Sequence, residues 1–221
     1  MLIKSGLSGE QMSIADAPKI TYNGKWLTWH LEFYAGVLYW EAWFFSSGTL
    51  TVETGYSYKC DAWGIGGGAG AEWDSGGGNP VSAGAGKTNL RTGLTISGTV
   101  PITIGAGGSS HHYDPLEAGG DTSFGDYMIC SGATDSKVSD SYKRYRFEDP
   151  DKAGEAGSNR KSSDADNDYV GQGGWLPIAR QLIPRSSYYD DGEGAQGDGL
   201  GGGGSYYGYA CHGALVVRIP A

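Results

Sequence analysis

The distribution of glycine constrains the fold of this chain more than any other feature. The 221 residues include 40 glycines, of which eighteen lie in 64–125 and thirteen in 171–213, whereas 126–170 holds only three. A flexible linker would mix glycine mainly with serine. Here large rings interrupt the glycine runs, namely Trp63, Trp73, Phe124, Trp175, Tyr206, Tyr207 and Tyr209. This mixture predicts closely packed glycine backbone, which is a rigid scaffold able to display long loops.

Composition narrows the class of protein further. The net charge is −9 and no basic stripe is present, so nucleic acid is excluded as an expected partner. The 7 Trp, 15 Tyr and 5 Phe are too many for a disordered chain. Helix signals are confined to 176–183, where Pro177 and Pro184 allow two turns at most. The sequence therefore predicts a mainly β fold with almost no helix.

Local patterns predict where the strands lie. β-Prone residues in 20–45 around the Asn23-Gly24 turn predict a small N-terminal β-unit, or a docking segment that completes a partner. Residues 1–46 are therefore expected to form an N-terminal attachment segment. Alternation over 48–65 predicts a hairpin, 94–104 a second strand pair, and 213–220 a final strand. The runs 66–68, 76–78 and 201–204 predict polyproline-II-type segments that pair laterally. Residues 47–221 would then form a glycine-rich sandwich displaying long loops.

Aromatic residues are concentrated near the N-terminus. Charged or polar residues at Lys25, His30, Glu32 and Glu41 interrupt this stretch, so membrane insertion is not expected. The aromatic density exceeds what one small sheet face can cover. We therefore expect a set of four tryptophans to attach the chain to another subunit: Trp26, Trp29, Trp40 and Trp43.

Three partial motifs do not reach the pattern of a cofactor or metal site. Residues 83–88 resemble the end of a phosphate-binding loop, but Val81 stands where its first glycine belongs. Residues 164–168 resemble the start of a calcium loop, but Tyr169 and Trp175 stand where its glycine and glutamate belong. The adjacent His111 and His112 are not accompanied by a third ligand cluster. No cofactor and no metal is expected. Cys60, Cys130 and Cys211 are far apart in the sequence and form no zinc motif. The sequence leaves open whether any two of them form a disulfide.

Three loops interrupt the glycine scaffold: 109–117, 133–170 and 175–193. Because all three leave the same scaffold, we expect them to converge on one exposed end. Tyrosine, serine, glycine and arginine on a rigid frame are the residues that binding loops use, and the long middle loop favours a function. We expect the receptor-binding residues to be His111, His112, Tyr113, Tyr142, Arg144, Tyr145, Arg146, Tyr169, Trp175, Arg185, Tyr188 and Tyr189. No nucleophile elbow is present, so catalytic residues are not predicted.

Several motifs follow one another in a recognisable order. They are 47–52 (Ser-Gly-Thr-Leu-Thr-Val), 62–70 (Ala-Trp-Gly-Ile-Gly-Gly-Gly-Ala-Gly), 100–108 (Val-Pro-Ile-Thr-Ile-Gly-Ala-Gly-Gly), 118–125 (Ala-Gly-Gly-Asp-Thr-Ser-Phe-Gly), the run 201–204, and 213–219 (Gly-Ala-Leu-Val-Val-Arg-Ile). Residues 47–221 thereby resemble the glycine-rich domain of bacteriophage tail-fibre and adhesin proteins. The resemblance implies a bundle of polyproline-II-type segments joined to β-strands, with distal loops that contact the host surface. The glycine-poor insert 126–170 departs from this pattern.

The sequence thus predicts a non-enzymatic phage tail-fibre or baseplate adhesin, located in the virion and extracellular when acting. Expected partners are a host surface polysaccharide or outer surface protein, together with other tail-fibre or baseplate subunits. Two alternatives stay open: a structural spacer without receptor contact, and a phage-associated polysaccharide hydrolase.

Overall fold

The computed structural model describes residues 2–4, 11–13, 17–34, 36–70, 72–73, 80–81, 86–109, 117–133 and 210–221. These ranges contain strands and no helix, so the predicted mainly β fold is confirmed for them. The strands are β1 (Leu2–Lys4), β2 (Gln11–Ser13), β3 (Ile20–Tyr22), β4 (Lys25–Trp26), β5 (His30–Tyr34), β6 (Val37–Phe44), β7 (Gly48–Val52), β8 (Tyr58–Ile65), β9 (Glu72–Trp73), β10 (Pro80–Val81), β11 (Thr88–Ile96), β12 (Thr99–Thr103), β13 (Thr122–Phe124), β14 (Met128–Cys130) and β15 (Ala214–Pro220).

Two antiparallel sheets form the body of the fold. One has five strands in the order β11-β8-β15-β6-β5, and the other has six in the order β14-β13-β12-β7-β3-β4. β1 pairs with β2 and β9 with β10 in two separate hairpins. Because every ladder is antiparallel, each sheet can bury one face, and side chains then alternate between core and surface.

The core lies between the two sheets. The five-stranded sheet contributes Trp40, Phe44, Ala62, Leu215 and Val217 among others, and the six-stranded sheet contributes residues such as Ile20, Leu50, Val52, Ile102 and Phe124. Several of these side chains are fully buried, and residues from both sheets form one continuous apolar cluster. A smaller cluster, built around Trp63, Ile65 and Val216, lies on the outer face of the five-stranded sheet.

The predicted turn at Asn23-Gly24 is confirmed, whereas the predicted strand pairings within 48–65 and 94–104 are wrong. Asn23 and Gly24 adopt positive φ (49° and 77°) between β3 and β4, as the Asn-Gly signal predicts. However, β7 and β8 lie in different sheets, and so do β11 and β12. Alternation reports which face of a strand is buried, but it does not identify the neighbouring strand. The connections at 53–57 and 97–98 therefore cross between sheets instead of closing hairpins.

The predicted boundary at residue 46 does not coincide with a boundary between sheets. β6 lies between β15 and β5 in the five-stranded sheet, and β3 lies beside β7 in the six-stranded one. Strands from both sides of residue 46 therefore share hydrogen-bonded ladders and one core.

Candidate functional site

Glycine-rich backbone extends from one end of the sandwich. Segments 66–70, 104–108 and 131–133 continue from the ends of β8, β12 and β14, and segments 86–87, 117–121 and 210–213 lead into β11, β13 and β15. We call these six segments the glycine bundle. They are not strands, but they lie side by side, and they replace side-chain packing by contact between backbones.

Lateral hydrogen bonds join the segments of the bundle. Segment 66–70 is central: its Gly66 N–H donates to Lys87 O (3.0 Å), its Gly67 N–H to Gly120 O (2.9 Å) and its Gly68 N–H to Cys211 O (3.1 Å). Its carbonyls also accept, since Gly108 N–H donates to Gly68 O (2.8 Å) and Ala133 N–H to Gly67 O (2.9 Å). Segment 66–70 therefore bonds to each of the other five segments.

The spacing of these backbones requires glycine. A Cβ atom placed on Gly108 would lie 2.6 Å from Gly70 N, and one on Gly66 would lie 2.7 Å from Gly132 N. Added Cβ atoms at Gly67, Gly105, Gly119 and Gly132 would likewise come closer than 3.0 Å to neighbouring backbone atoms. None of these glycines has a φ in the left-handed region, so glycine is needed there for space and not for backbone conformation.

The far end of the bundle is where the insertions begin. Gly70 N–H donates to Glu117 O (2.9 Å), and Ala210 N–H donates to Gly108 O (3.1 Å). Ala69 and Ala133, both buried, pack together near this end. Residues 109 and 117, which flank 110–116, and residues 133 and 210, which flank 134–209, therefore lie on one small group of neighbouring backbones.

Side chains add two further ties to the bundle. The Glu117 carboxylate accepts from the N–H of Ser109 (2.8 Å) and from its hydroxyl, which closes the base of the first insertion. The exposed His212 accepts from the Gly107 N–H through Nδ1 (3.1 Å). In both cases a side chain accepts from a backbone N–H in the far half of the bundle, as a capping side chain does at a helix N-terminus.

The predicted receptor-binding residues all lie outside the described residues. They are His111 and His112, Tyr113, Tyr142, Arg144, Tyr145, Arg146, Tyr169, Trp175, Arg185, Tyr188 and Tyr189. The structure describes only the backbone from which they depart. The anchors of the two insertions that carry them share the far end of the bundle, whereas the predicted convergence of the loops themselves lies outside the described residues.

The four tryptophans predicted for attachment do not form one exposed patch. Trp40 is only 4% exposed and belongs to the core, so it has no surface left for a partner. Trp29 packs partly against the same core, and Trp43 packs against the cluster around Trp63. Trp26, at 65% exposed, is the open member of the set. Because side chains alternate along β6, Trp40 and Trp43 lie on opposite faces of the sheet. The number of aromatic residues in this stretch does not show which of them face the core.

A row of charged residues crosses the outer face of the five-stranded sheet. Arg218 lies opposite Glu41 on one side and Asp61 on the other. Its Nε bonds the Asp61 carboxylate (3.3 Å), and its guanidinium lies over the rings of Tyr39 (4.6 Å) and Tyr34 (5.1 Å). These contacts tie the last strand to the β5–β6 hairpin.

Glu41 is the most deeply buried acid of this row, at 2% exposed. Burial raises its pKa above the ordinary value of 4.5, and the Trp43 indole opposes this by donating to Glu41 Oε1 (2.6 Å). Its second oxygen has no hydrogen-bond partner. The carboxyl is therefore enclosed, and it stabilises the sheet less in its charged form than in its neutral form.

Other reactive groups among the described residues are enclosed or dispersed. Burial raises the pKa of the Cys60 and Cys130 thiols to about 12, which keeps them protonated. In the described ranges no group of three or more His, Cys, Asp or Glu is placed to hold a metal ion. The same ranges contain no helix with the length and apolarity to cross a membrane.

No protein-family model matches the sequence, and neither does any curated protein.

Proposed function

We propose that this protein is a bacteriophage tail-fibre or baseplate adhesin that binds the host cell surface through loops held by the glycine bundle. The observation that carries the proposal is the shared location of the anchors at residues 109, 117, 133 and 210. Insertions that start and end on neighbouring backbones are positioned for joint contact with one surface. The order of glycine motifs along the sequence supports the same class of protein.

The close packing and lateral hydrogen bonds of the bundle support a role in display. Loops lose conformational freedom on binding, so a frame that fixes their ends reduces this cost. In our proposal the glycine segments adopt polyproline-II geometry, whose three residues per turn present N–H and C=O groups to several neighbours at once. Such a frame keeps its shape when the attached loops change, because backbone contacts between glycines involve no loop side chain.

The residues carried by the insertions suit a bacterial surface. The rings of Tyr142, Tyr145, Tyr188 and Tyr189 offer faces on which the C–H edges of sugars stack. Arg144, Arg146 and Arg185 offer forked donors for carboxylate or phosphate groups. The proposed ligand is therefore an acidic surface polysaccharide or an outer surface protein.

The test is cell binding by the purified protein. Fluorescently labelled protein is incubated with a panel of bacterial strains, and the strains that bind wild type are then tested with Tyr142, Tyr145, Tyr188 and Tyr189 changed together to alanine. Hot-spot anchors typically cost about 1–4 kcal/mol each, so binding should fall at least tenfold. The matched control changes Tyr56 and Tyr127, exposed tyrosines of the sandwich, to alanine.

Unchanged binding by the quadruple variant, with its thermal unfolding unaltered, overturns the assignment of these rings. Wild-type protein that binds no strain but sediments with assembled particles supports the spacer alternative instead. Release of reducing sugar from a bound polysaccharide supports the hydrolase alternative.

A further inference from the structure

The two sides of the sandwich are closed differently. On one side β11 and β14 are the edge strands, and they are tied by Asn89 Nδ2 donating to Ile129 O (3.0 Å) and by Lys87 N–H donating to Ser131 O (2.8 Å). On the other side β4 and β5 are the edges, joined by the short connection 27–29. Trp26 (65%), Phe33 (52%) and Tyr34 (43%) are exposed there. An open edge with exposed rings is a surface for pairing with another strand.

The hairpin geometry shows which backbone groups of β5 face outward. Tyr34 pairs with Val37 across a connection of two residues, so these two must form the hydrogen-bonded type of pair. Glu32 and His30, which pair with Tyr39 and Glu41, then also direct their N–H and C=O toward β6. The N–H and C=O groups of Leu31 and Phe33 point away from the sheet, and no backbone bond in the described ranges uses them.

We propose that this edge pairs with the β5 strand of a second copy of the chain, about a twofold axis at Leu31. Two outward-facing residues must meet in each hydrogen-bonded pair, and centres at Leu31 and at Glu32 both meet this condition. A centre at Glu32 would place the two Glu32 carboxylates directly opposite each other, and like charges in that position are destabilising, which favours the centre at Leu31. A centre at Leu31 pairs Leu31 with its own copy through outward backbone groups, and it brings Phe33 opposite Trp29 of the second copy, the residue just before β5. An isologous contact of this kind closes as a dimer.

The side chains agree with the same register. Leu31 and Trp29 pack toward the core, so the apolar residues of the two copies would continue one inner face. On the outer face the exposed His30 would lie opposite Glu32 of the second copy, and Glu32 opposite the second His30. These are non-hydrogen-bonded pairs, with Cα atoms about 4.5 Å apart, where the imidazole can donate to the carboxylate. The charge complementarity occurs twice by symmetry.

The twofold axis has a consequence for the shape of the dimer. It reverses the strand direction, so the two glycine bundles would extend in opposite directions from a continuous ten-stranded sheet. This inference does not depend on the proposed adhesin function, because it uses only the β4–β5 side of the sandwich.

The test is the oligomeric state of the full chain, measured by sedimentation velocity over a range of concentrations. Wild type should form a dimer, with small-angle scattering that indicates an elongated particle.

Glu32→Lys should weaken the dimer by roughly 2- to 30-fold, because two cross-strand pairs are lost. The double variant His30→Glu with Glu32→Lys should restore it. Glu53→Lys, the same charge change at an exposed turn, should have no effect.

A second variant removes the backbone donor. Phe33→Pro deletes an outward N–H without breaking a bond to β6, and proline is tolerated on edge strands, so the protein should fold and be monomeric. Two outcomes overturn the proposal. The first is wild type that stays monomeric up to its solubility limit, even if this edge binds another tail subunit. The second is a dimer that none of these changes weakens.

Discussion

The sandwich and the glycine bundle are two solutions to the same packing problem. In the sandwich, side chains such as Leu50 and Phe124 fill the space between sheets and are fully buried. In the bundle glycines make the close contacts, and backbones approach until their own N–H and C=O groups fill the space. The first solution tolerates a change of side chain at a cost set by volume. The second leaves no volume to change, so its tolerance of substitution should be much lower.

The largest loss of stability should therefore come from replacing a glycine of the bundle, even by alanine. Gly67→Ala puts a methyl group closer than 3.0 Å to the backbone of segment 104–108, which cannot rotate away. We expect a loss in the free energy of unfolding above about 4 kcal/mol, in the range reserved for severe steric damage. Chemical denaturation followed by tryptophan fluorescence measures it.

The matched control is Gly55→Ala. Gly55 lies in a turn with φ of 90° and nothing within 4 Å of an added Cβ, so alanine costs only the left-handed backbone conformation, about 1–2 kcal/mol. If the two variants lose equal stability, the bundle is not close-packed and the comparison with the sandwich fails.

An intermediate effect is expected in the sandwich core. Leu50 is fully buried between the two sheets, and Leu50→Ala should cost about 2–5 kcal/mol through lost burial and a residual cavity. Hydrogen exchange at the Gly67 and Gly120 amides measures whether the bundle loses the same amount of protection. Equal loss would mean that the sandwich and bundle unfold as one unit, whereas unchanged protection would separate them.

The smallest effect concerns the buried carboxyl on the outer face. The folded pKa of Glu41 is raised by burial, so the folded state holds this proton more tightly than the unfolded chain. Its contribution to stability is present below the unfolded pKa of 4.5 and is lost as pH rises through the folded pKa. Glu41→Gln keeps an acceptor for the Trp43 indole. Because glutamine does not ionise, the variant should not lose stability at this position as the pH rises.

Glu41→Gln should thus gain stability relative to wild type between pH 4 and pH 7, as measured by thermal unfolding across that range. Glu53→Gln, at an exposed turn, is the control and should change little. A variant whose stability relative to wild type falls with rising pH would mean that the attraction of Arg218 outweighs the burial of Glu41.

The comparison also indicates what can be predicted for a chain of this kind. Asn23-Gly24 fixes a turn because two residues with positive φ suit the twist of a hairpin, and such chemistry is local. Alternation over 48–65 predicts a hairpin, yet β7 and β8 belong to different sheets. Pairing partners depend on which strands close the core, and no local pattern encodes that.

The candidate site shows the same division. The sequence by itself determined that the chain is mainly β, that its glycines are unevenly grouped and that long polar segments separate the groups, because composition and alternation act through neighbouring residues. Only the tertiary structure decided that segment 66–70 bonds to five other segments, and which backbones hold residues 109, 117, 133 and 210 at one end. Those contacts join residues far apart in sequence, and their energy exists only when the two sheets bring the glycine backbones together.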